Sequence, residues 1–170
     1  MKEQLKNTKI IHAKKQAPNL KRILTRAEHT QKETCTVEEC KDPRCGCCKR
    51  LYKASSYTFK NTGYTFQLKS KMSCDSSNLI YVVICENCGE EYIGETGKGT
   101  TKLRDRVRVY HQQINDEKYR KKYAEKHIHQ CANGNFKIFP FFQMKSQDTD
   151  YRRAYERYFQ VKFKTKLNKQ

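Results

Sequence analysis

The stretch that decides the fold is Leu79 to Gly94, LIYVVICENCGEEYIG, in which two apolar runs flank a CxxC. The first run, LIYVVI, is rich in β-branched side chains and is typical of a strand buried on both faces. The residues from Cys85 to Glu90 form a tight connection, and Glu91 to Ile93 predict a short second strand. Because this link is too short for a crossover, the two strands are predicted to be antiparallel.

Apolar periodicity predicts further elements on both sides of this pair. They are a β-hairpin over 57–68, helices over roughly 101–115, 117–130 and 151–163, and a third strand over 136–142. Pro140 makes the third strand an edge or a bulged one, because proline cannot donate to a strand ladder. The sequence therefore predicts an α+β fold, with a small central antiparallel sheet of about three strands flanked by helices.

Composition divides the chain into three segments and points to a polyanionic partner. Residues 1–34 form a basic arm, for which disorder and a short helix on a partner are both open. Residues 35–77 form a cysteine-rich extension with the hairpin, and 78–170 form the main domain. The net charge of +18 suits nucleic acid. A membrane partner is not expected, because no helix pairs its basic residues with a bulky apolar face.

The nine cysteines occur in clusters that predict metal sites rather than disulfides. Cys85-x2-Cys88 precedes His127-x3-Cys131, and the latter pair is expected near the end of a helix. A CxxC followed by a helical pair at i and i+4 is a zinc pattern, because those two positions share one helical face. His129 is a competing ligand.

A second zinc site is predicted from the cysteines of the N-terminal extension. Cys40, Cys45 and Cys48 are spaced as x4 and x2, and Cys74 stands just before the LIYVVI run. Four thiolates would form a closed tetrahedral site. The remaining cysteines, Cys35 and Cys47, leave the choice of ligands open. Neither predicted site keeps an open coordination position, so both zinc ions are expected to be structural.

Two tyrosines on the neighbouring strands, Tyr81 and Tyr92, are expected to point to the same face. Such a pair is ordinarily a packing feature. It gains interest from the residues that follow it along the chain, which are Arg104, Arg106, Tyr110 and Glu156. Phosphodiester cleavage needs a base for water, a cation on the phosphate and a metal for the leaving oxygen. A tyrosine becomes a plausible base when arginines and a divalent ion lower its pKa.

These residues resemble the motifs of the GIY-YIG endonucleases, and in particular the endonuclease domain of Penelope-like retroelements. Leu79-Ile80-Tyr81 stands in place of the first motif, with Leu79 instead of its glycine, and Tyr92-Ile93-Gly94 is the second motif intact. The cysteines between and before the motifs, KLRDRVRVYHQQI and FKIFPFFQM are also similar. The resemblance runs from about Asn19 to Asn168.

The resemblance implies a metal-dependent DNA endonuclease that nicks a phosphodiester bond. Glu156 would hold one Mg²⁺ or Mn²⁺, and Arg106, with Arg104 behind it, would clamp the scissile phosphate. Tyr81 would be the general base, with Tyr92 as second candidate. Helix phase favours Tyr110 over the adjacent His111 as the residue that orients the base or water, and Asn168 would support the site. No small-molecule cofactor is expected.

The expected partners are DNA and a reverse transcriptase domain, and the expected location is the nucleus. The basic side chains predicted to contact DNA are Lys98, Lys102, Arg108, Lys121, Lys122, Arg152 and Arg153. The nick would prime reverse transcription of the element. Two alternatives stay open: an inactive zinc-stabilised module that binds nucleic acid, and a structure-specific repair nuclease on the same fold.

Overall fold

The structure is a computed structural model, and it describes residues 35–97 and 99–168. The predicted basic arm and Lys98 lie outside the described residues. The strands are β1 (Val37–Glu38), β2 (Ser56–Thr58), β3 (Thr65–Gln67), β4 (Met72–Ser73), β5 (Leu79–Cys85), β6 (Glu91–Glu95) and β7 (Phe136–Gln143). The helices are α1 (Leu103–Asn115), α2 (Tyr123–Ala132) and α3 (Thr149–Phe163), with short 3₁₀ helices at Cys48–Arg50 and Lys166–Asn168. The α+β class is as predicted.

The central sheet has three antiparallel strands in the order β6-β5-β7. The middle strand, β5, is buried along nearly its whole length, which confirms the prediction from its continuous apolar run. Pro140 on β7 pairs with Tyr81 beside a register shift, and β7 lies at one edge of this sheet. The prediction of an edge or bulged strand is therefore confirmed on both counts.

Helix α1 covers the sheet through an apolar stripe at helical spacing, Leu103, Val107, Tyr110 and Ile114, as the sequence predicts. Its first backbone N–H groups are satisfied by the segment that leads into β5. The amide of Leu103 donates to the Ser76 carbonyl, and the amide of Arg104 donates to the Cys74 carbonyl, both at 2.9 Å. The start of α1 is therefore fixed by residues at the end of the cysteine-rich extension.

The second helix begins later than predicted, at Tyr123 rather than near 117. Asp116 ends α1, and its Oδ1 accepts from the amide of Lys118 at 3.0 Å, which makes a turn. The chain becomes helical again where the buried Glu125 accepts from the amides of Lys121 and Lys122 at 2.9 and 3.0 Å. Local side-chain bonds to the backbone thus break an apparently continuous helical pattern.

The hairpin β2–β3 packs on the sheet through aromatic rings and one buried carboxylate. Phe59 stacks on Phe163 of α3, with ring centroids 3.7 Å apart. Glu91 of β6 accepts from the Tyr57 hydroxyl and the Lys60 amide, both at 2.8 Å. The hairpin therefore contacts both α3 and the edge strand β6. None of the helices in residues 35–97 and 99–168 is long and apolar enough to cross a membrane.

Candidate active cleft and metal centres

The first cysteine group brings together Cys40, Cys45, Cys48 and Cys74, the four predicted from the sequence. Their sulfur atoms lie within 4.8 Å of one another, with Cys48 Sγ 3.2 Å from Cys74 Sγ. Four thiolates at this spacing suit a tetrahedral zinc ion, whose Zn–S bonds are about 2.3 Å long. This group can hold a metal ion such as zinc. Cys35 and Cys47 are not part of it.

The second group consists of Cys85, Cys88, His127 and Cys131, again as predicted. Their ligand atoms lie within 4.8 Å of one another, and His127 Nε2 is 3.2 Å from Cys88 Sγ. Burial raises the pKa of the Cys85 thiol to about 11, so without a cation the thiol stays protonated at neutral pH. Three sulfurs and one imidazole can hold a metal ion such as zinc. The competing His129 is outside the group.

The two groups fasten different parts of the fold. Cys74 contributes its thiol to the first group, and its carbonyl accepts from the amide of Arg104 at the start of α1. A single residue therefore links this group to the helix that carries Arg104 and Arg106. The second group joins the β5–β6 turn to α2, because its first two cysteines lie at that turn and the other two ligands lie on the helix. Both groups therefore support elements that border the tyrosine pair.

The tyrosines of β5 and β6 lie on one face of the sheet, with a glycine making room for them. Tyr81 pairs with Gly94 across the strands, and Val83 pairs with Tyr92, so the two tyrosines are diagonal neighbours. A Cβ atom on Gly94 would lie 2.9 Å from Tyr81 Oη and 2.9 Å from Tyr92 Cε1. The bare Gly94 backbone is what lets both rings cover this position.

Two residues of α1, one turn apart, contact the tyrosine pair. Arg106 Nε donates to Tyr81 Oη at 3.1 Å. The Tyr110 ring is buried and stacks on the Tyr92 ring, with centroids 6.0 Å apart. The adjacent His111 lines a different cleft. The helix phase therefore brings Tyr110, and not His111, to the tyrosine face.

A cleft of about 380 Å³ opens beside this cluster and brings Glu156 to it. Its lining includes Tyr92, Arg106, Lys122 and Glu156. Tyr81 is almost fully buried beneath and does not line the cleft. The cleft thus collects residues from β6, α1 and α3, together with a lysine that precedes α2.

Burial controls the electrostatics of this cleft. It raises the pKa of Glu156 to about 7, and the nearby Glu95 carboxylate adds to the shift against the opposing charges of Lys122 and Arg106. Burial also raises the pKa of both Tyr81 and Tyr92, and Arg106 opposes the shift in each case. A cation or a phosphate–cation pair in the cleft would favour the ionised form of Glu156.

Arg152 is not a DNA contact, so that prediction from the sequence is wrong. Its side chain is fully buried, where Nε donates to Glu95 Oε2 at 2.5 Å and Nη1 donates to Asn78 Oδ1 at 2.9 Å. A buried guanidinium needs such partners, and these two occupy it. Arg152 instead fixes α3 against β6, four residues before Glu156 on the same helix.

Asn168, which follows α3, binds the backbone of the second motif. Asn168 Oδ1 accepts from the amide of Ile93 and Nδ2 donates to its carbonyl, both at 2.8 Å. Gln160 Nε2 donates to the same carbonyl and to Glu156 Oε1, each at 3.3 Å. Sequence reasoning missed Gln160 and Glu95. In the sequence, the signal for Gln160 is its i+4 spacing from Glu156, and the signal for Glu95 is its place directly after the YIG motif.

Arg104 does not share the cleft with Arg106. It pairs with Asp75 at 3.3 Å, and Lys102 pairs with the same carboxylate at 3.0 Å. Arg104 lines the larger cleft that also contains His111. Four of the other predicted DNA-contacting cations are exposed and so can meet a polyanion: Arg108, Lys121, Lys122 and Arg153.

Comparison with protein-family models, with curated proteins and with solved structures gave no match to this chain. The family resemblance of its motifs therefore stays a prediction.

Proposed function

We propose that this chain is a metal-dependent DNA endonuclease that nicks a phosphodiester bond. The observation that carries the proposal is the hydrogen bond from Arg106 Nε to Tyr81 Oη at 3.1 Å, beside a cleft lined by Tyr92 and Glu156. A cation for the phosphate, a phenol for the water and a carboxylate for a metal are the groups that this reaction needs. The net charge of +18 supports a polyanionic substrate.

In this proposal Glu156 holds one Mg²⁺ or Mn²⁺. Mg²⁺ is usually bound by one or two carboxylates together with substrate phosphates and water, so a single well-placed glutamate fits it. The second carboxylate, Glu95, is already engaged by Arg152 and by the Gly97 amide at 2.6 Å. When bound, the metal stabilises negative charge on the phosphate and the leaving oxygen. Arg106 holds the phosphate against the cleft wall.

The proposed general base is Tyr81, with Tyr92 as the second candidate. Tyr81 accepts the Arg106 hydrogen bond, which opposes the rise that burial gives its pKa, whereas Tyr92 is the tyrosine that lines the cleft. Tyr110 supports Tyr92 by stacking, and Asn168 holds β6 at Ile93, the residue next to Tyr92. Tyr81→Phe and Tyr92→Phe separate the two roles: the variant that loses the alkaline rise of the cleavage rate has lost the base.

The two cysteine groups are proposed to hold one structural zinc ion each. All four positions of each would be filled by protein ligands, so neither offers a coordination site for substrate. Elemental analysis of the purified protein should return two equivalents of zinc. One equivalent, or none, would remove this part of the proposal.

The test of the function is nicking of supercoiled plasmid with Mg²⁺ or Mn²⁺, wild type beside Glu156→Ala. Open-circle product from wild type alone, with equal DNA affinity for both proteins, would support the nuclease and the role of Glu156. Equal loss of cutting and binding would show that Glu156 is structural. Inactivity of the zinc-loaded wild type with tight DNA binding would instead favour the inactive binding module. A preference for branched DNA would favour the repair nuclease.

The biological setting that fits such a nick is retroelement integration in the nucleus. We propose that the chain works with a reverse transcriptase domain of a Penelope-like element, which would extend the DNA end that the nuclease leaves. That role needs a free 3′-hydroxyl at the nick. Extension of the nicked plasmid by an added polymerase, without prior phosphatase treatment, would support it.

A further inference from the structure

A second and larger cleft, of about 780 Å³, lies along α1 and beside the cysteine-rich extension. Its walls come from residues 45–50 of the extension, from α1 and from the first residues of β7. The cations that line it are Lys49, Arg50, Arg104, Arg108 and Lys137. We propose that this cleft binds the DNA strand next to the scissile phosphate. The proposal rests on the proposed function, since it extends the path of the same substrate.

The charges of this cleft leave cations available for phosphates. Three of the five cations are in ion pairs: Lys137 with Glu86 at 3.6 Å, Arg108 with Asp105 at 3.9 Å, and Arg104 with Asp75 at 3.3 Å. Lys49 and Arg50 are the two that remain among the described residues. Lys49 is exposed, and no ion-pair partner for it is found among the described residues. Ammonium and guanidinium groups on such a wall are the usual contacts of a phosphate backbone.

The planar guanidinium of Arg50, in the same wall, is suited to stacking against a nucleobase. The Arg50 guanidinium lies over the Phe136 ring, 4.3 Å from its centroid, and Nη1 donates to the Gly134 carbonyl at 3.4 Å. These two contacts hold the guanidinium beside the ring. A guanidinium plane is a stacking surface for an unpaired base. The volume is within the range of about 300–1,000 Å³ that buries a small organic ligand, so a nucleotide fits.

The two clefts adjoin each other along α1. Asp105 and Arg108 line both of them, and the Arg108 side chain is exposed between them. A strand whose phosphate lies at Arg106 can therefore pass Arg108 and enter the larger cleft. Arg104, which the sequence assigned to the scissile phosphate, would meet the next part of the strand instead. This path gives the cysteine-rich extension a role in holding substrate.

The experiment measures the affinity of labelled single-stranded and duplex DNA of about 4 to 16 nucleotides, the usual span of such sites. Binding is measured with Ca²⁺ in place of Mg²⁺, so that a protein that fails to cut is still informative. The test variant is Lys49→Ala with Arg50→Gln. The control is Lys53→Ala with Lys69→Ala, which removes the same charge from exposed positions that line neither cleft.

We expect the test variant to bind the longer DNA about tenfold more weakly, and its salt slope to fall by about one for each phosphate that it no longer neutralises. The shortest DNA and the control variant should show little change. Equal reductions in test and control variants, or no reduction in the test variant, would overturn the proposal. Because Arg50 packs on Phe136, Lys49→Ala alone serves as a second variant, expected to keep the wild-type melting temperature and bind about threefold more weakly.

Discussion

The cleft around Glu156 and the two cysteine groups hold their polar side chains in different ways. In and around the cleft, cationic donors are paired with acceptors of the protein itself, as in the ion pair of Arg152 with Glu95 and the hydrogen bond from Arg106 to Tyr81. In the cysteine groups, like side chains face each other, with Cys48 and Cys74 sulfurs 3.2 Å apart. The cleft can therefore keep its shape without an ion, whereas the cysteine groups need one.

The surroundings of the two kinds of site follow the same division. The cleft is lined by residues of β6, α1 and α3, which share a hydrophobic core with β5. Residues 35–51 contain only a two-residue strand and a 3₁₀ helix of three residues. Such a segment gains little from burial, so metal binding must supply much of its folding free energy. Variants of the cleft should lose chemistry first, and variants of the cysteine groups should lose structure first.

Cys74→Ser should have the largest effect on stability. It removes a ligand of the first group, and the same residue's carbonyl caps α1, so both the extension and the start of that helix should loosen. Structural zinc contributes about 10–16 kcal/mol in small domains, and we expect a loss of about 5 kcal/mol or more in the free energy of unfolding. Chemical denaturation and zinc content measure it. Cys35→Ser, outside the group, is the control. A Cys74→Ser protein that retains two zinc ions and unfolds like wild type would contradict the assignment.

Arg152→Met should cost about 3–5 kcal/mol, because it leaves the Glu95 carboxylate and the Asn78 carbonyl oxygen without their buried partner. Arg152 lies behind the cleft rather than in it, so this variant is expected to lose structure and not only chemistry. The neighbouring Arg153→Met removes the same charge from an exposed position and should change stability little. Denaturant titrations of both variants decide. Equal, small effects would mean that α3 does not depend on the buried pair.

Much of this fold could be predicted from the sequence because its signals are local. The continuous apolar run of β5, the helical stripe of α1 and the two cysteine quartets each follow from spacing along the chain. The roles of charged residues could not be read in this way. Arg152 and Arg153 are adjacent and chemically equal in the sequence, yet one is buried and the other is exposed.

The difference arises from register and helix phase, which a charge pattern does not contain. Arg152 meets Glu95 because α3 crosses the end of β6, a contact between residues 57 positions apart. Arg104 and Arg106 were expected in one place, but they differ by about 200° around α1 and enter different clefts. The separation of the two arginines is therefore a property of the folded helix, and it is what defines two clefts instead of one.

Gly94→Ala should lower stability by about 1–3 kcal/mol, the usual cost of overpacking. Its Cβ would lie 2.9 Å from atoms of both Tyr81 and Tyr92, so the rings must move, and the Arg106 hydrogen bond must move with them. Cleavage should therefore fall more than stability alone explains, by about 10- to 100-fold. Gly46→Ala, where an added Cβ meets no atom within 4 Å, is the control for stability alone. Unchanged melting temperature and cleavage rate would show that the two rings have room to shift.

Glu156→Gln should have the smallest effect on stability, and its sign should depend on pH. The pKa of Glu156 is raised from 4.5 to about 7 in the folded protein. The protonated carboxyl therefore adds to the free energy of unfolding of wild type at low pH, and this contribution is lost as pH rises through about 7. The glutamine variant cannot ionise. Between pH 4.5 and pH 8 its free energy of unfolding should therefore rise relative to that of wild type by about 1–2 kcal/mol, a range that allows for the partial exposure of Glu156.

The same pair of proteins tests whether the cleft differs from the cysteine groups in its need for an ion. Thermal melts without added Mg²⁺ give the pH-dependent gap, with the exposed Glu117→Gln as control. Added Mg²⁺ should then stabilise wild type at pH 8 and narrow the gap, because an ion beside Glu156 compensates the buried charge. A gap that stays constant from pH 4.5 to pH 8 would mean that Glu156 ionises freely in water. In that case the cleft would lack the buried carboxylate on which both the metal and the chemistry depend.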